Sequence, residues 1–345
     1  MQIALISSKI DPAGRSIRRH ILERLPSCVR TDVVFTPMEV EGRLIAQDGI
    51  DTGLEADLII FLSRHTSARP APLLSVHVTG NPSRADLGGA PHSLPPAAPL
   101  WMRSVLRSLS RHAPSGYRVT YEVTHHGPTG LSTPSFFVEI GSTLAEWEDP
   151  RAGRAVAESV LEAQPEGTLT LLGLGGDHYA TRATGIVQES HAAFGHIIHS
   201  REVPSLDIPL LEQAWKQSAA DAAYLDRKAL SSEDLQRLES LLRQIDLPVV
   251  GESGIRAMGE LSWRMYALLQ SCADIARTSA LLVVDGLTGE GIPVQVSLDR
   301  NLLAEALRSD RTAVQEGLGD IPVAHLIGPD GTIQPVFLTF EGKQS

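Results

Sequence analysis

Two runs in this chain, Ala56–Ser63 (ADLIIFLS) and Thr168–Leu174 (TLTLLGL), are apolar at nearly every position. A strand of that kind is stable only inside a sheet covered on both faces, because successive side chains point to opposite sides. Gln2–Ser7, Leu74–Thr79 and Phe194–His199 read as further strands. Between them, helical spacing predicts helices over Ser16–Leu25, Leu100–His112, Arg151–Ala163, Leu206–Ser218 and Ser232–Ile245. Strands alternating with helices predict an α/β fold: a three-layer sandwich with a mostly parallel or mixed central sheet and helices on both faces. From about Asp246 the pattern changes. A helix over Gly254–Ile275, a strand over Ala280–Asp285, a further strand and helix, and a hairpin around residues 328–331 read as a C-terminal α+β extension. The expected organisation is therefore 1–245 and 246–345.

Composition excludes several functions. No stretch approaches the roughly 20 apolar residues of a membrane helix, and the N-terminus reads as a first strand with no signal peptide, so no membrane partner is expected. Cys28 and Cys272 are the only cysteines and lie far apart. That points to a reducing, cytoplasmic setting and leaves any metal to histidines and carboxylates. A net charge of −11 counts against a general nucleic-acid binder, and no DNA partner is expected. It permits a local basic surface, for which Arg103, Arg107 and Arg111, at i, i+4 and i+8 of one helix, form the best stripe.

Ten of the twelve histidines lie between His65 and His199, so the chemistry is expected in the middle of the chain. Its centre is Tyr121–Gly141, where a strand over Tyr117–Thr124 runs into His125, His126, Gly127 and Pro128, and a second strand, Phe136–Ile140, carries Glu139. His65 and His178 also fall where strands end, and such ends converge in open α/β sheets. His178 follows Gly173, Gly175 and Gly176, which allow close backbone approach. His196 and His77 lie within strands, and His77 reads equally well as a satisfied core residue. In a strict strand His125 and His126 would face opposite sides, so both serve one site only if the strand has already ended. The segment from Ser83 to Pro99 is too rich in Gly, Pro and Ala for a regular element and long for a loop, as lids and binding loops are. Several histidines with a carboxylate suit zinc and ester or amide hydrolysis. A histidine general base with a backbone oxyanion hole is the metal-free alternative. The G-x-S-x-G, H-E-x-x-H and C-x-x-C signatures are missing.

Ordered motifs carry a more specific signal. SRHTS (63–67), SVHVTGN (75–81), ADLGG (85–89), YEVTHHGPT (121–129), PSFFVEIGST (134–143) with Trp147, GLGGDHYATR (173–182), FGHII (194–198) and LDRKAL (225–230) closely resemble the D-aminoacyl-tRNA deacylases of archaea and plants. The resemblance implies hydrolysis of the ester between a D-amino acid and the 3′ end of tRNA. It also implies up to two zinc ions, a monomer, and a core like that of peptidyl-tRNA hydrolase and the phosphorylases. On this basis His125, His126, His178 and Glu139 are expected to be catalytic and, with His196, to bind metal. His65, Gly175, Gly176 and Tyr179 are expected to contact the substrate, and Arg103, Arg107 and Arg111 the acceptor stem. Asp177 stands where the family usually has glycine, and Thr181 where it commonly has proline. The rivals are another tRNA-ester or amide hydrolase on the same scaffold and a tRNA-binding protein without activity.

Overall fold

The computed structural model describes residues 1–28, 30–273 and 280–341. The chain divides into two compact units, one of residues 1–188 and 192–249, the other of 189–191 and 250–345.

The first unit is built on six strands: β1 (Gln2–Ser8), β2 (Val34–Val40), β3 (Leu58–Thr66), β4 (Leu73–His77), β5 (Arg118–Tyr121) and β6 (Ser135–Ser142). They lie in the order β2-β1-β3-β6-β4-β5. Neighbours pair in parallel except β4 and β6, which run antiparallel, so β4 and β5 oppose the other four. The mixed sheet expected from the sequence is present. It is accompanied by a second, parallel sheet of β7 (Leu169–Leu174), β8 (Ala192–Ile198) and β9 (Ala222–Leu225), in the order β8-β7-β9.

Helices α1 (Pro12–Arg24), α2 (Pro99–His112), a short α3 (Leu144–Trp147) and α4 (Pro150–Glu162) follow. Asp11 and Asp149 cap α1 and α4 with side-chain oxygens, and in both a proline opens the first turn. α1 and α4 meet closely: a Cβ on Gly153 would lie 2.6 Å from the Ser16 hydroxyl. The expected second helical layer is not what covers the other face of β1, β3 and β6. There Ala4, Ile6, Ile59, Phe61 and Phe137 pack against Leu44, from a single 3₁₀ turn, and against Leu131 and the half-buried Ile50 and Leu54 from irregular segments. Two carboxylates make that irregular cover possible. Asp48 accepts the backbone N–H groups of Thr129 and Gly130, each at 2.7 Å, and Asp51 those of Ser132 and Thr133 at 2.7 and 2.9 Å. They satisfy donors that a helix or sheet would otherwise have paired.

Beyond α5 (Thr181–Glu189), α6 (Ile208–Ser218) and α7 (Ser232–Gln244) pack with the three-stranded sheet around Leu172, Leu211 and Leu238.

The second unit holds β10 (Leu281–Asp285), β11 (Pro293–Ser297), β12 (Val323–Ile327) and β13 (Ile333–Phe340) as one antiparallel sheet in the order β10-β12-β13-β11. β12 and β13 form the hairpin expected around residues 328–331, closed by Gly328 N–H on the Thr332 carbonyl at 2.8 Å. The single helix expected from Gly254 is two, α8 (Glu252–Ala257) and α9 (Trp263–Cys272). Gly259, at φ +58°, turns the chain between them, and the expected end at Ile275 lies outside the described residues.

Candidate active site

The face covered by irregular segments becomes polar toward one end. Registers place Phe61 beside Phe137 and Ser63 beside Glu139, and His77 pairs with Phe137 across β4. With a side-chain period of two, His65 follows Phe61 and Ser63 on that face, and Glu139 follows Phe137. An apolar core thus continues directly into His65, His77 and Glu139. Gly141 makes room for the His65 ring, since a Cβ there would lie 2.8 Å from His65 Cδ2.

β5 ends at Tyr121, earlier than the sequence predicts. Glu122, His125 and His126 are therefore free of strand alternation, and His126 adopts φ +49°. The two rings lie side by side, their centroids 4.4 Å apart, and the His77 ring is 4.3 Å from His125 and 4.9 Å from His126. His178 completes the group, 4.9 Å from His125 by ring centroids.

Two buried carboxylates sit among these rings. Glu122 lies 2.8 Å from His178 Nε2, 3.1 Å from His65 Nδ1 and 3.7 Å from His125 Nε2. Glu139 lies 3.6 Å from His65 Nδ1 and 3.9 Å from His77 Nε2. Despite this crowding, among the described residues neither Glu122 oxygen receives a well-directed hydrogen bond, and His77 Nε2 has none either. Burial opposes charge on both carboxyls, but His178 and His65 beside Glu122, and His65 and His77 beside Glu139, hold both below their ordinary range. Burial likewise opposes charge on His65, yet Glu122 and Glu139 push its imidazole up to about 11. Burial and the neighbouring His77 lower both His125 and His126, the latter to about 4.

Ring orientation is set by the backbone. Nδ1 of His125 meets the Val123 carbonyl at 2.8 Å, Nδ1 of His126 the Gly127 carbonyl at 2.6 Å, and Nδ1 of His77 the Val78 carbonyl at 3.2 Å. Each Nδ1–H donates to its carbonyl, so in the neutral imidazole Nε2 keeps a lone pair. This is the arrangement of metal-ligating histidines. His77, His125 and His126 each offer a ligand atom within 4.8 Å of the others, as do His65, Glu122 and His178. Both trios have donor sets that zinc accepts.

Two cavities meet at the cluster. One, of about 250 Å³, reaches Asp11, Ser63, Arg64 and Glu139, and the other, of about 410 Å³, reaches Asn81, Arg84, His199 and Arg201. Leu87, His125, His126 and His178 wall both. Leu87 belongs to the Gly/Pro-rich segment, which forms a loop as expected. It is pinned by Asn81 Nδ2 donating to the Gly88 and Ala90 carbonyls at 2.9 and 3.2 Å.

The structure brings His65, His125, His126, Glu139 and His178 together and sets other expected residues apart. His196 is buried with both ring nitrogens engaged, Nδ1 on the Thr124 hydroxyl at 3.0 Å and Nε2 on the Pro95 carbonyl at 2.9 Å, so it has no lone pair to give a metal. Gly175 and Gly176, at φ +99° and +105°, face Leu230 and Asp226 and line neither cavity. They shape a turn away from both cavities. Tyr179 also lies outside both cavities. Its hydroxyl is 3.4 Å from His65 Nε2 and 3.2 Å from the Ser67 hydroxyl, which makes it a positioning residue. The arginine stripe is largely structural. Arg103 is buried and paired with Glu166 at 2.9 Å, and Arg107 donates to the Val187 and Gln188 carbonyls in the last turn of α5 at 3.1 and 2.8 Å. Arg111 alone of the three is exposed. Asp177 is exposed beside the cluster, and Thr181 accepts a hydrogen bond from Arg118 at 2.9 Å. Sequence reasoning missed Glu122 and left His77 undecided. A carboxylate three and four residues before the paired histidines was the available signal for the first.

A sequence model of the D-aminoacyl-tRNA deacylase family matches residues 52–250. A D-aminoacyl-tRNA deacylase of Methanosphaerula palustris is 49% identical over 347 residues, covering 100% of this chain and 80% of that protein. One from Methanosarcina mazei is 40% identical over 278 residues, covering 74% of this chain and 94% of that protein. A crystal structure of a conserved protein of unknown function superposes with a TM-score of 0.68 at 31% identity, covering 74% of this chain and 96% of that one.

Proposed function

The chain belongs to the D-aminoacyl-tRNA deacylase family and hydrolyses D-aminoacyl-tRNA, and from that premise we propose that the ester is cut at the histidine–glutamate cluster between the two cavities. The observation that carries this is the pair of buried carboxylates, Glu122 and Glu139, held among five histidines where both cavities open.

The residues fit the zinc ion that the family resemblance implies. His77, His125 and His126 would hold it through Nε2; the His65, Glu122 and His178 trio has a donor set of the same kind, but a metal there would take the lone pair that His178 needs as a base. When bound, zinc supplies Lewis acidity toward the ester carbonyl and lowers the pKa of water. The chain's own groups do the rest. His178, with 41% of its side chain exposed and Nε2 2.8 Å from Glu122, is placed to take a proton from the attacking water. It returns that proton to the ribose 3′-oxygen as the acyl C–O bond breaks, giving free tRNA and the D-amino acid. Glu122 stabilises the imidazolium formed meanwhile. His65, fixed by Glu122, Glu139 and Tyr179, braces the carboxylates. Chiral proofreading of translation is the role we infer for this activity, and a peptidyl-tRNA hydrolase-like core, which the resemblance implies, would be sought in the six-stranded sheet.

Release of labelled tyrosine from D-tyrosyl-tRNA and L-tyrosyl-tRNA, before and after chelation and with zinc added back, tests the reading. D-selective release restored by zinc is expected. Release indifferent to chelation would leave His178 as a base without metal, and no release would remove the assignment. Replacing His126 or His178 by Ala should lower kcat by at least about 10²-fold with the fold intact.

A further inference from the structure

The scissile ester has two unlike halves, and two unlike cavities meet at the cluster. We propose that the smaller cavity takes the aminoacyl group, its ammonium bound by Asp11, and the larger takes the terminal nucleotide, with its base on His199 and its phosphate at Arg201. This assignment rests on the deacylase reading.

Size and chemistry point the same way. A nucleoside has more atoms than any aminoacyl group, and the cavities measure about 410 and 250 Å³. The ammonium needs a buried acceptor. Asp11 is 7% exposed and accepts from Gly14 N–H at 2.9 Å, Arg64 N–H at 3.1 Å and the Ser63 hydroxyl at 3.3 Å. A carboxylate has four lone-pair directions, so one is left for a ligand. The nucleotide needs a flat partner and a cation. His199 is half-buried on the wall of the larger cavity, and a base stacks on imidazole. Arg201 is exposed at the same wall, where the rest of a tRNA must leave into solvent. Arg84, nearby, already faces Asp86 at 3.6 Å. The smaller cavity has Arg43 and Arg64 as well, but its buried carboxylates, Asp11 and Glu139, would repel a phosphate.

Steady-state kinetics on the full chain separate the halves. In Arg201→Ala, KM for D-tyrosyl-tRNA should rise about tenfold, the worth of one charge-assisted hydrogen bond. The slope of log KM against log salt should fall by about 0.7. With 3′-O-D-tyrosyl-adenosine, which has no phosphate, the rise should be far smaller. Asp11→Asn keeps the α1 cap, since Asn caps as well as Asp. It should lower kcat/KM at least about tenfold for D-tyrosyl-tRNA, and much less for the same ester without its amine. An unchanged thermal midpoint verifies the fold, with Asp11→Ser as a second capping variant. A KM insensitive to Arg201 but raised by Arg43→Ala would reverse the orientation and overturn the proposal. Equal losses with both acyl groups in Asp11→Asn would reduce Asp11 to a cap. A wild-type protein inactive on every ester would instead remove the deacylase reading itself.

Discussion

Glu122 is the residue on which the cluster converges, with His65, His125 and His178 all within 3.7 Å of it. Replacing it with Gln keeps the shape and removes the charge. The expected result is a fall in kcat of at least about 10²-fold together with reduced zinc per chain, read by turnover and elemental analysis. Gly141 is a subtler case. In Gly141→Ala the new methyl group meets the His65 ring, which must shift, and displacement on the ångström scale costs about 10²-fold in turnover. A folded, fully active Gly141→Ala protein would contradict this. The sequence shows His125, His126, His178 and Glu139 clearly because paired histidines and strand-end positions are local signals. Gly141 matters through His65, and Glu122 chiefly through His65 and His178, all more than 50 positions away, so the short spacing from Glu122 to His125 and His126 carries only part of that information.

Single elements explain the misread arginines and His196. Arg103, Arg107 and Arg111 do share a helical stripe, as their spacing requires. However, α2 lies inside the unit, so the stripe meets Glu166 and the end of α5 before it meets solvent. Periodicity gives the face and leaves open what covers it. His196 on β8 has a consequence for pH. Burial holds its imidazole at about 4, below the ordinary 6.5. Between those values the unfolded chain binds more protons than the folded one. Stability from the neutral His196 is therefore complete above about pH 6.5 and is lost as pH falls toward 4. Thermal midpoints across that range should decline in the wild type and decline less in His196→Asn. Parallel curves for the two proteins would count against it.

At the scale of the molecule, sheet and alternating helices were legible because continuous apolar runs admit few other folds. The second sheet was less so. β9 is only four residues long, too short for its alternation to stand out between two helices. Metal should couple to the stability of the first unit, since both trios draw on distant segments. At a zinc concentration about 100 times Kd, chelation is expected to lower the thermal midpoint by roughly 5–10 °C, measured by calorimetry, and zinc to restore it. That, among the described residues, no helical layer covers one face of β1, β3 and β6 has another consequence, for how such an enzyme changes over generations. Part of its reaction centre, His65, His77 and Glu139, is anchored on strands, while residues 41–54, 83–93 and 127–134 cover that face without forming strands of the sheet. Mutational libraries confined to the exposed positions of those three stretches, sparing Leu44, Leu131, Asp48 and Asp51, should shift substrate preference far more often than they abolish expression, so new selectivities lie within short evolutionary walks of this sequence.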